Sequence, residues 1–291
     1  MKKRMAAWLT CIICLSAFAA KADVPRFSIE EYPRVDGSTA TLPLSYMLMA
    51  ESTGVGEDQA KRVIRHTKTS NAFYELVHRN VDLLLVYEPS NDSYRYAREM
   101  GVALEMKPIG RDALVFLVNA ENPVDTLTHD QVTGIYTGKI SNWRQVGGAD
   151  LPIAAYQRPE DSGSQVMMRR QVMGDTPMAE APVVMRPGDM DMLVNEVAAY
   201  VNEPRAIGYS VYYYVSTMYI QDNIRLMAID GIAPSNESIT SGAYPYTQDF
   251  YAVIRTDASE GSPARVLYDW LGGVESATLL SDCGYVPVPA D

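Results

Sequence analysis

A turn near the middle of the chain combines residue types that suit the binding of an oxyanion. Arg158 is followed by Ser162, Gly163 and Ser164. The serines can cap a helix that follows, and the glycine lets the backbone come close to a ligand. Unpaired N–H groups in a first helical turn carry the positive end of the helix dipole, and a guanidinium can donate two hydrogen bonds to one anion. The pattern therefore indicates a possible anion site.

The flanking segments predict that this turn joins a strand to a helix. Residues 151–156 form an apolar run of strand length, and residues 166–173 form a helical run that ends at Gly174. The helix N-terminus would then face the same space as Arg158. A structural alternative is an ordinary serine-capped helix in which Arg158 pairs with Glu160 or Asp161, and the turn alone does not decide between them.

Two further helix starts carry hydroxyl groups. Residues 35–43 read V-D-G-S-T-A-T-L-P and lead into a predicted helix over 44–50, where Pro43 suits the first turn. Residues 67–71 read T-K-T-S-N and open a predicted helix over 72–79. Each segment could contribute backbone N–H groups and hydroxyls to an anion. Each could equally be a structural cap.

An acidic residue lies at the end of the most apolar predicted strand. Residues 81–87 form a nearly continuous apolar run, as in a strand covered on both faces, and Glu88 follows directly. In open α/β sheets, ligands bind outside the carboxyl ends of the strands. Glu88 is therefore a candidate ligand residue, and the alternative for it is a solvated loop acid.

The remaining segments alternate between predicted strands and helices, which indicates an α/β fold. Strands are predicted over 103–109, 113–119, 206–214, 224–229 and 250–255, and helices over 58–65, 94–100, 127–136, 190–201, 263–271 and 274–283. The similar runs 113–119 and 250–255 are candidates for two strands that cross between lobes.

Composition restricts the class of protein. The basic start, the apolar stretch to Ala20 and the small residues before Ala22 predict a signal peptide over 1–22, and no later run is long enough to span a bilayer. Loss of its four basic residues would lower the formal charge from −11 to −15. Such a surface argues against nucleic-acid binding. Cys283 would be the only remaining cysteine, so no internal disulfide is expected.

The order of these motifs resembles the PstS family, the extracytoplasmic phosphate-binding proteins of ABC transporters. The resemblance covers nearly all of the mature chain. The matching motifs are Asp36-Gly37-Ser38-Thr39 before Pro43; Thr69-Ser70 before Val81-Asp82; Ile140-Ser141-Asn142-Trp143 with Val146-Gly147-Gly148; Arg158 with Ser162-Gly163-Ser164; and Ala206-Ile207-Gly208-Tyr209.

The resemblance implies an α/β fold of the type II periplasmic-binding-protein class, the Venus-flytrap fold, with two lobes and two crossover strands. Lobe one would be residues 23–112 and 250–291, and lobe two residues 113–249. The implied protein is a periplasmic monomer without cofactor or metal that encloses inorganic phosphate between its lobes. It would deliver phosphate to an ABC-transporter permease without inserting into the membrane and without doing chemistry.

The resemblance also implies which residues bind phosphate. The family has an Asp near the end of the strand after the Val-Asp pair, where the nearest acid here is Glu88, one residue further along. In the first motif, Ser38, Thr39 and Thr41 allow two registers. The implied ligand residues are Arg158, Ser162, Gly163 and Ser164 from lobe two, with Thr41, the Leu42 backbone, Thr69 or Ser70, and Glu88 from lobe one.

An ionised Glu88 in such a site would select phosphate over sulfate. Phosphate near neutral pH keeps a proton that the carboxylate can accept, whereas sulfate has none. A desolvated contact left without its hydrogen bond costs roughly 1–3 kcal/mol, or about tenfold or more in affinity. If Glu88 does not act in this way, sulfate or molybdate becomes an alternative ligand.

Other functions are less well supported by the sequence. The histidines at 66, 78 and 129 lack metal-like spacing, and no Gly-x-Ser-x-Gly motif is present, which argues against a phosphatase or other hydrolase. A phosphate sensor or surface scaffold without transport stays open, because the tyrosines over 209–219 could form a partner surface.

Overall fold

The structure is a computed structural model that describes residues 23–160, 162–199 and 204–288. The predicted signal peptide, residues 1–22, lies outside these ranges. None of the helices in the described part of the chain is long and apolar enough to cross a membrane.

Helices and short strands alternate along the described residues, which confirms the predicted α/β class. The helices are α1 Leu42–Thr53, α2 Glu57–Val63, α3 Thr69–Val77, α4 Asn91–Glu99, α5 His129–Tyr136, α6 Gly163–Met167, α7 Met190–Ala199, α8 Asn236–Thr240, α9 Pro263–Trp270 and α10 Val274–Asp282. The strands are β1 Val35–Gly37, β2 Leu83–Tyr87, β3 Leu104–Asn119, β4 Thr126–Leu127, β5 Ala154–Ala155, β6 Ala206–Val211, β7 Ile224–Leu226, β8 Ala228–Ile229, β9 Thr247–Arg255 and β10 Val286–Pro287.

One mixed sheet runs through the molecule, and β3 lies at its centre. Its strand order is β1-β2-β9-β3-β6-β5, with β7 and β10 also paired to β3. β1 and β2 are parallel, as are β5 and β6, whereas β9, β6, β7 and β10 run antiparallel to β3. The predicted buried strand is β2, whose five side chains are all buried.

The long strand β3 passes from one half of the sheet to the other. As far as Ala113 it pairs with β9, and from Leu114 it pairs with β6. Two separate strands were predicted here, over 103–109 and 113–119. The structure instead has a single strand of 16 residues, because a register shift between Pro108 and Gly110 absorbs the irregular segment without ending the pairing.

The boundaries predicted for the two lobes, 112/113 and 249/250, fall within β3 and β9. We use "lobe one" for the elements around β1, β2 and β9, and "lobe two" for those around β5 and β6. These residue boundaries stay a prediction. Each lobe contributes helix N-termini to the space between them.

Candidate functional site

A small, partly open cavity lies between the two lobes. About 20 Å³ of it is available to the centre of a water molecule, which is somewhat more than one buried water requires. Its described lining consists of Ser38, Thr39, Ala40, Lys68, Thr69, Tyr87, Arg158, Ser162, Gly163, Ser164, Met190 and Val211.

The turn before α6 forms the lobe-two side of this cavity. Ser162 is the N-cap of α6, and its side chain accepts a hydrogen bond of 3.2 Å from the Gln165 backbone. Arg158 and Ser164 are almost completely buried. The Ser164 hydroxyl has no hydrogen-bond partner among the described residues. Because buried hydroxyls in folded proteins are normally paired, this group is available to bind a ligand in the cavity.

Neighbouring groups hold Arg158 in place. Its backbone N–H donates to the Tyr209 hydroxyl at 3.1 Å, and its Nη2 donates to the Gly188 carbonyl at 3.1 Å. Glu160, one of the acids considered as a structural partner of Arg158, pairs instead with Arg169 at 2.6 Å. Asp161 lies outside the described residues. The Gly188 carbonyl thus holds the guanidinium beside the cavity, and the Tyr209 hydroxyl holds the backbone of Arg158.

The segment before α1 forms part of the lobe-one side. The Ser38 hydroxyl lies 2.8 Å from that of Thr69 and accepts a 3.1 Å hydrogen bond from the Tyr87 backbone. Ser38, Thr39 and Ala40 line the cavity, whereas Thr41 and Leu42, the predicted ligand residues, do not.

The hydrogen bonds of Thr41 explain why this residue does not line the cavity. Its hydroxyl oxygen lies 2.6 Å from the Leu85 carbonyl oxygen and 2.9 Å from that of Ser38, so its single proton is shared between these two acceptors. Both bonds lie inside lobe one, so Thr41 supports the turn from behind. The structure therefore does not bring Thr41 and Leu42 to the cavity.

Two residues without an assigned role in the sequence hold this turn. Nδ1 of His66 lies 2.7 Å from the Ser38 carbonyl, and Nε2 lies 3.0 Å from the Ser45 hydroxyl. Burial lowers the pKa of His66 to about 4, so the ring is neutral and Nδ1–H donates to the carbonyl. Asp36 accepts hydrogen bonds from the backbone N–H and the hydroxyl of Thr67. It thereby connects the first turn to the segment before α3.

Gly37 is required at its position in this turn. A Cβ there would lie 1.9 Å from the Leu85 carbonyl oxygen, which no side chain tolerates. The Asp-Gly pair noted in the sequence therefore has a structural reason. The position of His66 beside this turn is not visible from local spacing.

The segment before α3 places Thr69 and Lys68 at the cavity. Ser70 is buried but does not line it. Nζ of Lys68 lies 2.5 Å from Oδ1 of Asp189, a residue of lobe two. The hydrogen bond from Lys68, with a smaller effect of Arg158, lowers the pKa of Asp189. Two cations, Lys68 and Arg158, thus adjoin the cavity.

Glu88 does not line the cavity. The preceding residue, Tyr87, is the last residue of β2 and lines the cavity, and Glu88 lies just beyond the end of that strand. Glu88 forms an ion pair with Arg170 of lobe two. The Tyr87 hydroxyl donates to Asp112 at 2.5 Å. Burial raises the pKa of Asp112 to about 6, although its hydrogen bonds oppose the shift.

The backbone of lobe two comes close to Thr69 of lobe one at Gly163. A Cβ added there would lie 2.7 Å from the Thr69 hydroxyl oxygen. The glycine therefore permits the close approach that encloses the cavity. No group of His, Cys, Asp and Glu side chains in the described ranges could hold a metal ion.

Comparison with known proteins agrees with this architecture. The sequence model of the PBP superfamily domain matches residues 28–271. The phosphate-binding protein PstS of Bacillus subtilis is 28% identical over 180 residues, which cover 60% of this chain and 56% of that protein. The protein SphX of Synechococcus elongatus is 23% identical over 277 residues, covering 88% and 77% of the two chains.

A solved structure has the same fold. The ABC-type phosphate transport receptor from Vibrio cholerae superimposes with a TM-score of 0.62 at 20% identity, covering 87% of this chain and 98% of that one. The similarity to phosphate-binding proteins predicted from the motifs is thereby confirmed at the level of sequence and fold. Since the domain match extends over most of the described residues, the chain belongs to the periplasmic-binding-protein (PBP) superfamily, a family of solute-binding proteins.

Proposed function

We propose that this protein captures inorganic phosphate between its two lobes outside the cytoplasm and delivers it to the permease of an ABC transporter. The observation that carries the proposal is the Ser164 hydroxyl, which is buried in the cavity wall without a partner among the described residues. Beside it lie the Arg158 guanidinium and the N-terminus of α6. Relatives named as phosphate-binding proteins support phosphate as the anion.

Hydrogen bonds aimed at short range would hold the anion. The proposed donors from lobe two are Arg158, Ser162, Ser164 and the Gly163 backbone. Those from lobe one are the Thr39 hydroxyl and either the Ser38 or the Thr69 hydroxyl, since one of these two donates to the other. They replace Thr41, Leu42 and Ser70. A ligand that contacts both lobes binds the closed form better than an open one, and this difference in affinity drives closure. The permease would recognise the surface of the closed form.

Sulfate is a second candidate ligand because of one observation. The described lining residues include no carboxylate, so the proton acceptor expected at Glu88 is absent from the wall. Hydroxyl groups can accept a phosphate proton, but they can also turn to donate to sulfate. The discrimination between the two anions is therefore the point to measure.

Calorimetry on the mature protein, freed of bound anion, tests the proposal. We expect phosphate to bind, and Arg158→Ala to weaken binding by at least about 30-fold, the effect of removing one partner of a buried charge pair. Arg169→Ala is the matched control, because that guanidinium pairs with Glu160 at the surface of the same lobe. Absence of phosphate binding in the wild-type protein, or an Arg158→Ala variant that binds normally, would contradict the proposal.

A further inference from the structure

The ion pair between Glu88 and Arg170 joins the two lobes outside the cavity. Glu88 follows β2 of lobe one, and Arg170 lies in the π-helical segment Met168–Met173 that continues α6 in lobe two. Nη2 of Arg170 also donates to the Pro89 carbonyl at 3.3 Å. Both partners of the ion pair are about one-third exposed. One arginine of lobe two therefore contacts two consecutive residues of lobe one.

We infer that Arg170 and Glu88 form a latch that stabilises the closed form, and that Glu88 is a positioning residue instead of a proton acceptor for the anion. The inference rests on the proposed function, since the latch is assigned to closure around the anion. Separation of the lobes would break the ion pair and the bond to Pro89 together. The latch would therefore slow the release of the ligand without touching it.

Another ion pair joins the same two lobes, but it is a less suitable target for mutations that test closure. Lys68 pairs with Asp189 at 2.5 Å, and its two side chains are about half exposed. Lys68 also lines the cavity, so its substitution would change the contacts with the ligand together with the ion pair between the lobes. Arg170 lies outside the cavity wall, and a change there separates closure from binding chemistry.

The neighbouring residue Arg169 provides a matched control. It lies in the same π-helical segment and pairs with Glu160, but both partners belong to lobe two. Loss of that pair removes a surface charge without affecting a contact between lobes. A difference between Arg170→Ala and Arg169→Ala therefore reports on closure and not on net charge.

The experiment measures phosphate and sulfate affinities of Arg170→Ala, Glu88→Gln, the double variant and Arg169→Ala. We expect Arg170→Ala, which loses the ion pair and the hydrogen bond to Pro89, to bind phosphate roughly three- to tenfold more weakly. Glu88→Gln loses only the ion pair and should bind phosphate roughly two- to fivefold more weakly. The double variant should be no weaker than Arg170→Ala, because that variant already lacks the ion pair. The ratio of phosphate to sulfate affinity should stay constant, and Arg169→Ala should match the wild-type protein.

Three results would overturn the latch. One is an Arg170→Ala variant that binds phosphate with wild-type affinity. Another is a double variant whose loss of binding free energy is the sum of the losses in the two single variants. The third is a Glu88→Gln variant whose phosphate-to-sulfate ratio falls, which is the behaviour of a proton acceptor. If the wild-type protein binds no phosphate, the proposed function fails separately, and small-angle scattering of the ligand-free proteins decides. A larger radius of gyration in Arg170→Ala than in Arg169→Ala then supports the latch, and equal radii reject it.

Discussion

Gly163→Ala is predicted to hinder closure without damaging either lobe. The added Cβ would lie 2.7 Å from the Thr69 hydroxyl oxygen across the lobe interface, whereas ordinary contacts begin at 3.4 Å. To relieve this steric clash, the lobes must separate by about 0.7 Å at this point, or Thr69 must rotate and break its 2.8 Å contact with Ser38. Overpacking of this kind costs roughly 1–3 kcal/mol, which corresponds to about 5- to 150-fold weaker phosphate binding.

The ligand-free variant should be as stable as the wild-type protein. Gly163 is the first residue of α6 and does not have a positive φ, and alanine is the better helix former. Calorimetry should therefore show a lower phosphate affinity while the thermal unfolding midpoint of the ligand-free protein does not fall. Gly56→Ala is a suitable control, because a Cβ at that position meets no atom within 4 Å.

A second substitution checks the cause. In a Thr69→Ala background the obstructing hydroxyl is gone, so Gly163→Ala should weaken binding by a smaller factor than in the wild-type background. Unchanged phosphate affinity in Gly163→Ala would refute the close approach. An equal loss in both backgrounds would refute the contact with Thr69.

Two further predictions concern the support of the site. Thr41→Val should lower the free energy of unfolding by about 1–3 kcal/mol in urea titrations, because the buried hydroxyl proton shared by the carbonyls of Leu85 and Ser38 is lost, while phosphate affinity stays within about twofold. A lost affinity at unchanged stability would restore Thr41 as a ligand residue. Buried His66, with a pKa of about 4, stabilises the fold more as pH rises from 4 towards 6.5, whereas Asp112, with a pKa of about 6, stabilises it less as pH rises from 3.8 towards 6. Between pH 4 and 6, the slope of unfolding free energy against pH should thus be more positive in Asp112→Asn than in the wild-type protein, and more negative in His66→Gln. Curves of both variants that run parallel to the wild-type curve would contradict both assignments.

The sequence predicted the lobe-two side of the cavity best because its signals are local. Ser162 caps α6, Gly163 allows close approach, and Ser164 lies in the cavity wall, all within three consecutive residues. Cap preference and glycine geometry act over such distances, so residue types alone are informative. The fold class was predictable for a similar reason, since strand and helix periodicities are short.

The lobe-one side was less predictable because contacts distant in sequence decide its register. Ser38, Thr39 and Thr41 all carry hydroxyls, and each can act at a helix start. The carbonyl of Leu85, 44 residues away, fixes Thr41 inside the lobe, and His66 fixes the Ser38 carbonyl from 28 residues away. Local spacing contains no information on either partner.

The position of Glu88 shows the limit of a resemblance that is offset by one residue. The resemblance favoured the nearest acid as the ligand residue, although that acid was offset by one position. Tyr87, the last residue of β2, occupies the cavity wall, and Glu88 lies just beyond the end of the strand without lining the cavity. The Glu88 carboxylate pairs with Arg170 of lobe two. The acid nearest to the expected ligand position thus lies where the two lobes meet.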